Sequence, residues 1–193
     1  MKKTKDVKEK IIEATISLIT DSDGDVTNIN TRAISKRANV GTGLINYHFQ
    51  TKENLIDICV ERMIGKVIST FAPSVPEKTL TARLKHIAKM VLDFLINNQA
   101  VSRISILSDQ KNPKTNDNTM MSAMGFSKIL AKLKISNKEQ FVLAFALTSV
   151  IQALFLRKEQ SDELFGYNIN VKEQRDEVLD LLIDTMFGGT ENE

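Results

Sequence analysis

The sequence predicts an all-α protein: a small N-terminal three-helix domain followed by a larger helical body. Three observations predict it. Glycine occurs 8 times and proline 3 times in 193 residues, against average usage of roughly 7% and 5%, so turn-formers are too scarce for many short strands. Apolar residues recur near the helical period along most of the chain. Hydrophobic residues make up 42% and charged residues 26%, the balance of a globular chain long enough to bury a core without disulfides or metals.

Residues 8–20 read as the first helix, with Ile11, Ile12, Thr15, Leu18 and Ile19 on one stripe and Lys8, Lys10 and Glu13 outside it. Asp21-Ser22-Asp23-Gly24-Asp25 ends it. This run starts like a calcium loop, but an EF-hand needs Gly at its sixth position and Glu at its twelfth. Counted from Asp21, those positions hold Val26 and Arg32, so the run is a polar helix-ending loop. Asn30 and Thr31 suit the N-cap of a short helix, residues 32–37, with Ala33, Ile34 and Ala38 at core spacing. Asn39 tolerates the left-handed backbone that ends helices. A second short helix, residues 43–49, carries Leu44, Ile45 and Phe49. Two short helices around a tight turn form the helix-turn-helix layout, whose second helix enters the DNA major groove.

Thr51 caps a longer helix starting at Lys52-Glu53, with Leu55, Ile56, Cys59, Met63 and Val67 as its stripe and Pro73 and Pro76 as its stop. Pro76 and Glu77 suit the first turn of the next helix, where Leu80, Leu84, Ile87, Val91, Phe94 and Leu95 keep the period. Residues 100–107 form a shorter helix ended by residues 109–113. Residues 119–134 form another, with Gly125 a soft point inside it. Asn137 caps the most apolar stretch, residues 141–156, where only Thr148, Ser149 and Gln152 are polar. That stretch falls short of the roughly 20 residues that span a membrane. A helix apolar all round is buried on all sides. Residues 171–187 share the character, with Val178, Leu179, Leu181, Leu182, Ile183, Met186 and Phe187 on more than one face. Two such helices, about 138–158 and 171–187, predict a homodimer joined by a four-helix bundle. The alternative is a monomer with a thick core.

Charge and chemistry narrow the function. Residues 1–52 hold nine Lys/Arg and six Asp/Glu, whereas residues 53–193 hold seventeen and eighteen. A basic N-terminal quarter on a near-neutral body suits contact with nucleic acid, although Lys2, Lys3 and Lys5 also read as a solvated tail. The single cysteine, Cys59, excludes an intramolecular disulfide and a Cys-rich zinc site. It reads as a buried core residue, with a redox switch as the rival. The two histidines, His48 and His86, are far apart, and His86 reads as a surface residue. No Gly-rich phosphate loop, serine elbow or metal motif is present, so no enzyme activity, cofactor or metal is expected. The basic stretch Met1 to Ala14 lacks an apolar core, so no signal peptide is expected and the cytoplasm is the default compartment.

The run from Asn30 to Leu55 resembles the DNA-binding domain of the TetR family of bacterial transcriptional regulators. The family pattern is roughly T-x-R-x-I-A-x-x-A-G-V-S-x-G-x-L-Y-x-H-F-x-x-K-E-x-L. Arg32, Ile34, Ala38, Val40, Gly43, Ile45, His48, Phe49, Lys52, Glu53 and Leu55 fall in register with it, and Tyr47-His48-Phe49-x-x-Lys52 is the most specific part. Asn39 stands where Gly is usual, Gly41 where Ser is usual, and Asn46 where Tyr is commonest. Gly41 forgoes a cap and a phosphate hydrogen bond. The resemblance implies an N-terminal three-helix helix-turn-helix DNA-binding domain, residues 1–52, and a larger helical ligand-binding and dimerisation domain, residues 53–193. Beyond residue 60 it is only architectural.

Duplex DNA is polyanionic, so affinity comes largely from cations and neutral donors facing phosphates, and bases are read by a few side chains early in the recognition helix. Thr31 opens a helix, where hydroxyl and free N–H groups take a phosphate. Arg32, by resemblance, reaches a guanine. Thr42, Gly43, Leu44 and Asn46 lie on the first turns of the recognition helix: Thr42 and Leu44 suit thymine methyls, Gly43 close backbone approach, and Asn46 adenine or a phosphate. Tyr47, His48 and Lys52 resemble the family's phosphate anchors. The alternatives are a half-buried core aromatic for Tyr47, a helix-end packing residue for His48, and a solvated Asn46. Ile34, Ala38, Ile45 and Phe49 belong to the small domain's core. The expected function is a regulator, a repressor by preference, that binds a pseudo-palindromic operator as a homodimer and is released by a small-molecule inducer. Met90, Phe94, Met120, Met121, Met124 and Phe126 are candidate pocket walls, methionine being adaptable, with ordinary core packing as the alternative. A helical protein-interaction module without specific DNA binding explains the apolar helices but not the residue 31–55 pattern.

Overall fold

The apolar stripes fold as helices in the computed structural model, which describes residues 2–22, 26, 28–68 and 79–188. Among these residues there is no strand. The chain divides into two compact units, residues 1–72 with 98–111, and residues 73–97 with 112–193. The expected boundary after Lys52 falls inside the first unit.

The first unit holds α1 (Lys2–Asp21), α2 (Thr31–Ala38), α3 (Thr42–Phe49), α4 (Lys52–Ile68) and α6 (Gln99–Lys111). Helix α1 starts six residues before the expected Lys8, because the polar residues ahead of the stripe continue the same helix. Its buried side, Ile11, Ile12, Thr15 and Ile19, packs with Ile34, Ile45, Phe49, Leu55 and Cys59 in the core of this unit. The Thr15 hydroxyl donates to the Ile11 carbonyl at 2.8 Å, so this buried polar group is satisfied. Arg62 pairs with Glu9 between α4 and α1. The Ser108 hydroxyl donates to Asp57 at 3.1 Å between α6 and α4. Helix α6 runs through Asp109 to Lys111, where a break was expected. None of those residues breaks a helix; Pro113 does, by disfavouring helical backbone at Asn112.

The second unit holds α5 (Leu80–Asn97), α7 (Asn118–Leu130), α8 (Asn137–Leu156), a single 3-10 turn (Lys158–Gln160), α9 (Ser161–Phe165) and α10 (Lys172–Phe187). Helix α7 ends at Leu130, short of the expected Lys134. The chain leaves the helix there because the next one is fixed by Ser136, not by Asn137 as expected. The Ser136 hydroxyl accepts from the Glu139 N–H at 3.3 Å, and Glu139 accepts from the Ser136 N–H at 2.8 Å. This is a capping box. Asn137 is the first residue inside the helix. The polar first turn brings α8 to 20 residues, so by length and composition it meets the requirement for a membrane span, alone among the described residues.

Helix α8 is not buried all round within the chain, as the alternative of a monomer with a thick core would require. Ala144, Leu147, Thr148, Ile151 and Phe155 are packed inward, while Val142 is 65% exposed and Phe145 and Val150 are exposed as well. Helix α10 behaves alike: Leu179, Ile183 and Phe187 are buried, and Leu181 is 59% exposed. Along its inner edge α10 is tied antiparallel to α5. Lys85 pairs with Asp184 and Lys89 with Asp180, both at 2.7 Å, and Lys172 with Asp93 at 2.9 Å. The expected roles of Asp23 to Asp25, Val67, Pro73, Pro76 and Glu77, and of the Lys2, Lys3 and Lys5 side chains, lie outside the described residues.

Candidate nucleic-acid interface

The helix-turn-helix is built by local chemistry. The Asn30 side chain accepts from the Ala33 N–H at 2.9 Å, which caps α2. Thr31 is the first residue inside that helix, half-buried, and Arg32 beside it is exposed. At the other end Asn39 takes left-handed angles (φ 53°, ψ 51°). The Asn39 N–H donates to the Lys36 carbonyl at 3.4 Å and the Val40 N–H to the Ser35 carbonyl at 3.0 Å, a helix stop that Asn supports where Gly is usual. Arg37 fastens α2 to α1, donating to Ser17 at 2.7 Å and to Asp21 at 3.1 Å.

Gly41 opens α3 with no side-chain cap. Within α3 only Ile45 and Phe49 are buried. They are one turn apart, so both face the core. Thr42, Gly43, Leu44, Asn46 and Tyr47 are exposed, and Tyr47 is 75% exposed. The core-aromatic alternative for Tyr47 therefore falls. His48 is half-buried, its ring 5.0 Å from that of Tyr47 and 6.1 Å from that of Phe49. A side chain added at Gly41 or Gly43 would meet nothing within 4 Å, so packing inside the chain does not require glycine at either position.

Helix α3 joins α4 through one strained residue that the sequence reading missed. Gln50 has φ 65° and ψ −54°, and the Thr51 N–H donates to the Phe49 carbonyl at 2.8 Å across it. This is the rare γ-turn conformation. The Asn54 side-chain amide also donates to the Phe49 carbonyl, at 2.9 Å, and the Thr51 hydroxyl caps α4 by accepting from the Asn54 N–H at 3.1 Å. Together these contacts hold the turn. Lys52 is the first residue of α4 and lies 3.8 Å from the Glu53 carboxylate. A cation at a helix N-terminus opposes the helix dipole, while the free N–H groups there attract an anion. Lys52 and the start of α4 thus favour the same ligand, an anion.

The structure brings Thr31, Arg32, Thr42, Gly43, Leu44, Asn46, Tyr47, His48 and Lys52 together within the first unit, on α2, on α3 and at the start of α4. The pocket candidates are placed unevenly in the second unit. Met90 and Phe94 on α5, and Met120 and Met124 on α7, are half-buried. Phe126 is buried beside Ala123 and Leu130, and Met121 is 58% exposed. Cys59 is fully buried, its sulfur 3.7 Å from the Ile12 carbonyl, and burial pushes its thiol up to about 12. That keeps it a protonated core residue rather than a reactive thiolate. His86 lies exposed on α5.

Residues 11–58 match the family described as bacterial regulatory proteins, tetR family. No curated protein matches the chain at a significant level. Solved structures share the fold along most of the chain. A TetR variant from Acinetobacter baumannii, in complex with minocycline, is 18% identical with a TM-score of 0.65, over 94% of either chain. BioQ from Mycobacterium smegmatis is 12% identical with a TM-score of 0.68, over 94% of this chain and 97% of the other. NalD, the secondary repressor of the MexAB-OprM multidrug efflux pump in Pseudomonas aeruginosa, is 18% identical with a TM-score of 0.56, over 96% and 97%. The matched segment contains the capped α2, the outward face of α3 and the start of α4. Residues 11–58 therefore carry the tetR-family domain of bacterial regulatory proteins, which makes this a DNA-binding transcriptional regulator and not an enzyme.

Proposed function

We propose that this regulator is a cytoplasmic repressor that binds a pseudo-palindromic operator as a homodimer and is released by a small-molecule inducer. The observation that carries the reading is the division of α3. Ile45 and Phe49 are turned inward, and five residues that pack against nothing in the core are turned outward. Thr42, Leu44 and Asn46 face base edges, while Thr31, Tyr47, His48 and Lys52 anchor phosphates and Arg32 reaches a guanine. Gly43 gives the backbone close approach, and the open space around it suits that role.

The DNA-binding part takes residues 1–52 and the regulatory part residues 53–193, with α8 and α10 joining two copies through Val142, Phe145, Val150 and Leu181. Two heads then enter major grooves about one helical turn apart. An inducer bound in the second unit, against Met90, Phe94, Met120 and Met124 among the candidates, acts by binding better to a head spacing that does not fit the operator. The minocycline complex of the Acinetobacter protein and the repressor role of NalD support this direction. The test is selection of bound duplexes from a random library by the purified protein at near-physiological salt. Enrichment of an inverted repeat is expected. A folded protein that enriches no sequence would defeat the operator reading and favour a protein-interaction module.

A further inference from the structure

We propose that Lys8 is a further phosphate-binding residue of the DNA interface, supplied by α1 beside the end of the recognition helix. This rests on the reading of the first unit as the DNA-binding element. Lys8 is exposed, and its ammonium lies 5.7 Å from the centre of the Phe49 ring. That ring is 6.1 Å from the His48 ring, which is 5.0 Å from the Tyr47 ring. A cation from a third helix therefore stands at the same end of α3 as two of the phosphate anchors, and Lys52 follows three residues after Phe49.

Its neighbours differ in their partners. Lys10 pairs with Asp6 at 3.7 Å, Arg37 with Asp21 at 3.1 Å, and Arg62 with Glu9. Among the described residues the Lys8 ammonium faces a ring instead of a carboxylate. The quadrupole of a ring attracts a cation without cancelling its charge, and the aliphatic stem covers apolar surface. The ammonium is thus held in place and remains positive. A phosphate is the ligand that uses such a group, and a contact of this kind fixes register without reading sequence.

The test compares the full-length protein with Lys8→Met and Lys8→Arg on a mixed-sequence duplex of about 30 base pairs, long enough for two heads one turn apart. Affinity is followed by fluorescence anisotropy from about 50 to 200 mM salt. Methionine keeps an unbranched stem over the Phe49 ring and removes the charge. Lys8→Met is expected to bind several-fold more weakly at low salt, with the slope of log affinity on log salt shallower by about 0.9 for each bound head, hence about 1.8 for the two heads of a dimer. Lys8→Arg keeps the slope. A Lys8→Met slope equal to that of the parent protein overturns the proposal even if the variant melts earlier, because Lys8 then only covers Phe49. If the methionine variant loses its helical signal, Lys8→Gln replaces it in the same comparison. A parent protein with no salt-dependent DNA binding overturns the DNA-binding reading itself, and that result is read without any variant.

Discussion

Gln50 holds a backbone conformation that side chains rarely adopt, at the joint between the recognition helix and α4. Such strain costs on the order of 1–3 kcal/mol and concentrates at functional positions. Glycine adopts these angles freely but loses more entropy on folding. Gln50→Gly is therefore expected to raise stability by about 1 kcal/mol, read as a higher melting temperature; a lower one would show that the turn is not strained. Beside it, the proposed interface gives Tyr47 and Lys52 roles that differ in kind from those of Arg32 and Thr42. Tyr47→Ala or Lys52→Ala is expected to weaken binding to every duplex and flatten its salt dependence. Arg32→Ala or Thr42→Ala should leave the slope nearly intact and relax preference at particular base pairs, by about 1–3 kcal/mol each. Competition binding with single-base operator variants separates the two classes, and a uniform loss in all four variants would reject the division of labour.

Single helices are placed by their ends and by their partners. The Ser136 N–H and hydroxyl hold the Glu139 carboxyl below its ordinary range, which marks the start of α8 as an electrostatically favoured cap. The α5–α10 seam has a harder centre. The Arg175 side chain is 8% exposed and donates twice to one Asp93 oxygen, at 2.7 and 2.9 Å. Burial would raise the Asp93 carboxyl, but hydrogen bonds from Lys172 and Arg175 and their charges outweigh it and leave it below the ordinary range. A carboxyl lowered on folding adds stability above its unfolded value, about 3.9. That stability is lost as pH falls through the folded value. Asp93→Ala leaves Arg175 with only the Asn170 carbonyl, at 3.3 Å, among these partners. Breaking a fully buried pair costs about 3–5 kcal/mol. This pair is part-buried, with the Asp93 side chain 28% exposed, so about half of that is expected, and the melting temperature at neutral pH should fall by roughly 5 °C in a chain of this size. The loss should shrink as pH falls below about 4, where the unfolded chain takes up the proton first, and vanish once pH passes the lowered folded value of Asp93. An equal loss at all pH values would mean that packing, not charge, holds the seam.

For the whole molecule, the proposed dimer rests on the outer faces of α8 and α10. Each helix buries one stripe in its own unit and leaves large apolar side chains open. Phe145→Glu with Leu181→Glu is expected to reduce the mass measured by light scattering to that of one chain. Affinity for an inverted repeat should then drop by more than about 100-fold, because the second head no longer binds at high effective concentration. An unchanged mass would reject these helices as the dimer interface. Much of the architecture was legible beforehand. Ile34, Ile45 and Phe49 declared a small core by their spacing, Asn30 and Thr51 declared helix starts, and the register of Arg32 to Leu55 declared the segment that the family match covers. Local sequence decides those features, because a helical stripe and a cap depend on residues within a turn or two of one another. What only the tertiary structure decided lies between distant residues: Arg175 on Asp93, Lys8 over Phe49, Arg37 on Asp21, and which faces of α8 and α10 stay open. The strained angle at Gln50 belongs with them, since nothing in a glutamine signals it and the contacts around Phe49, Thr51 and Asn54 impose it. Periodicity tells a helix which side to bury, but the partner it meets there is set by packing across the chain.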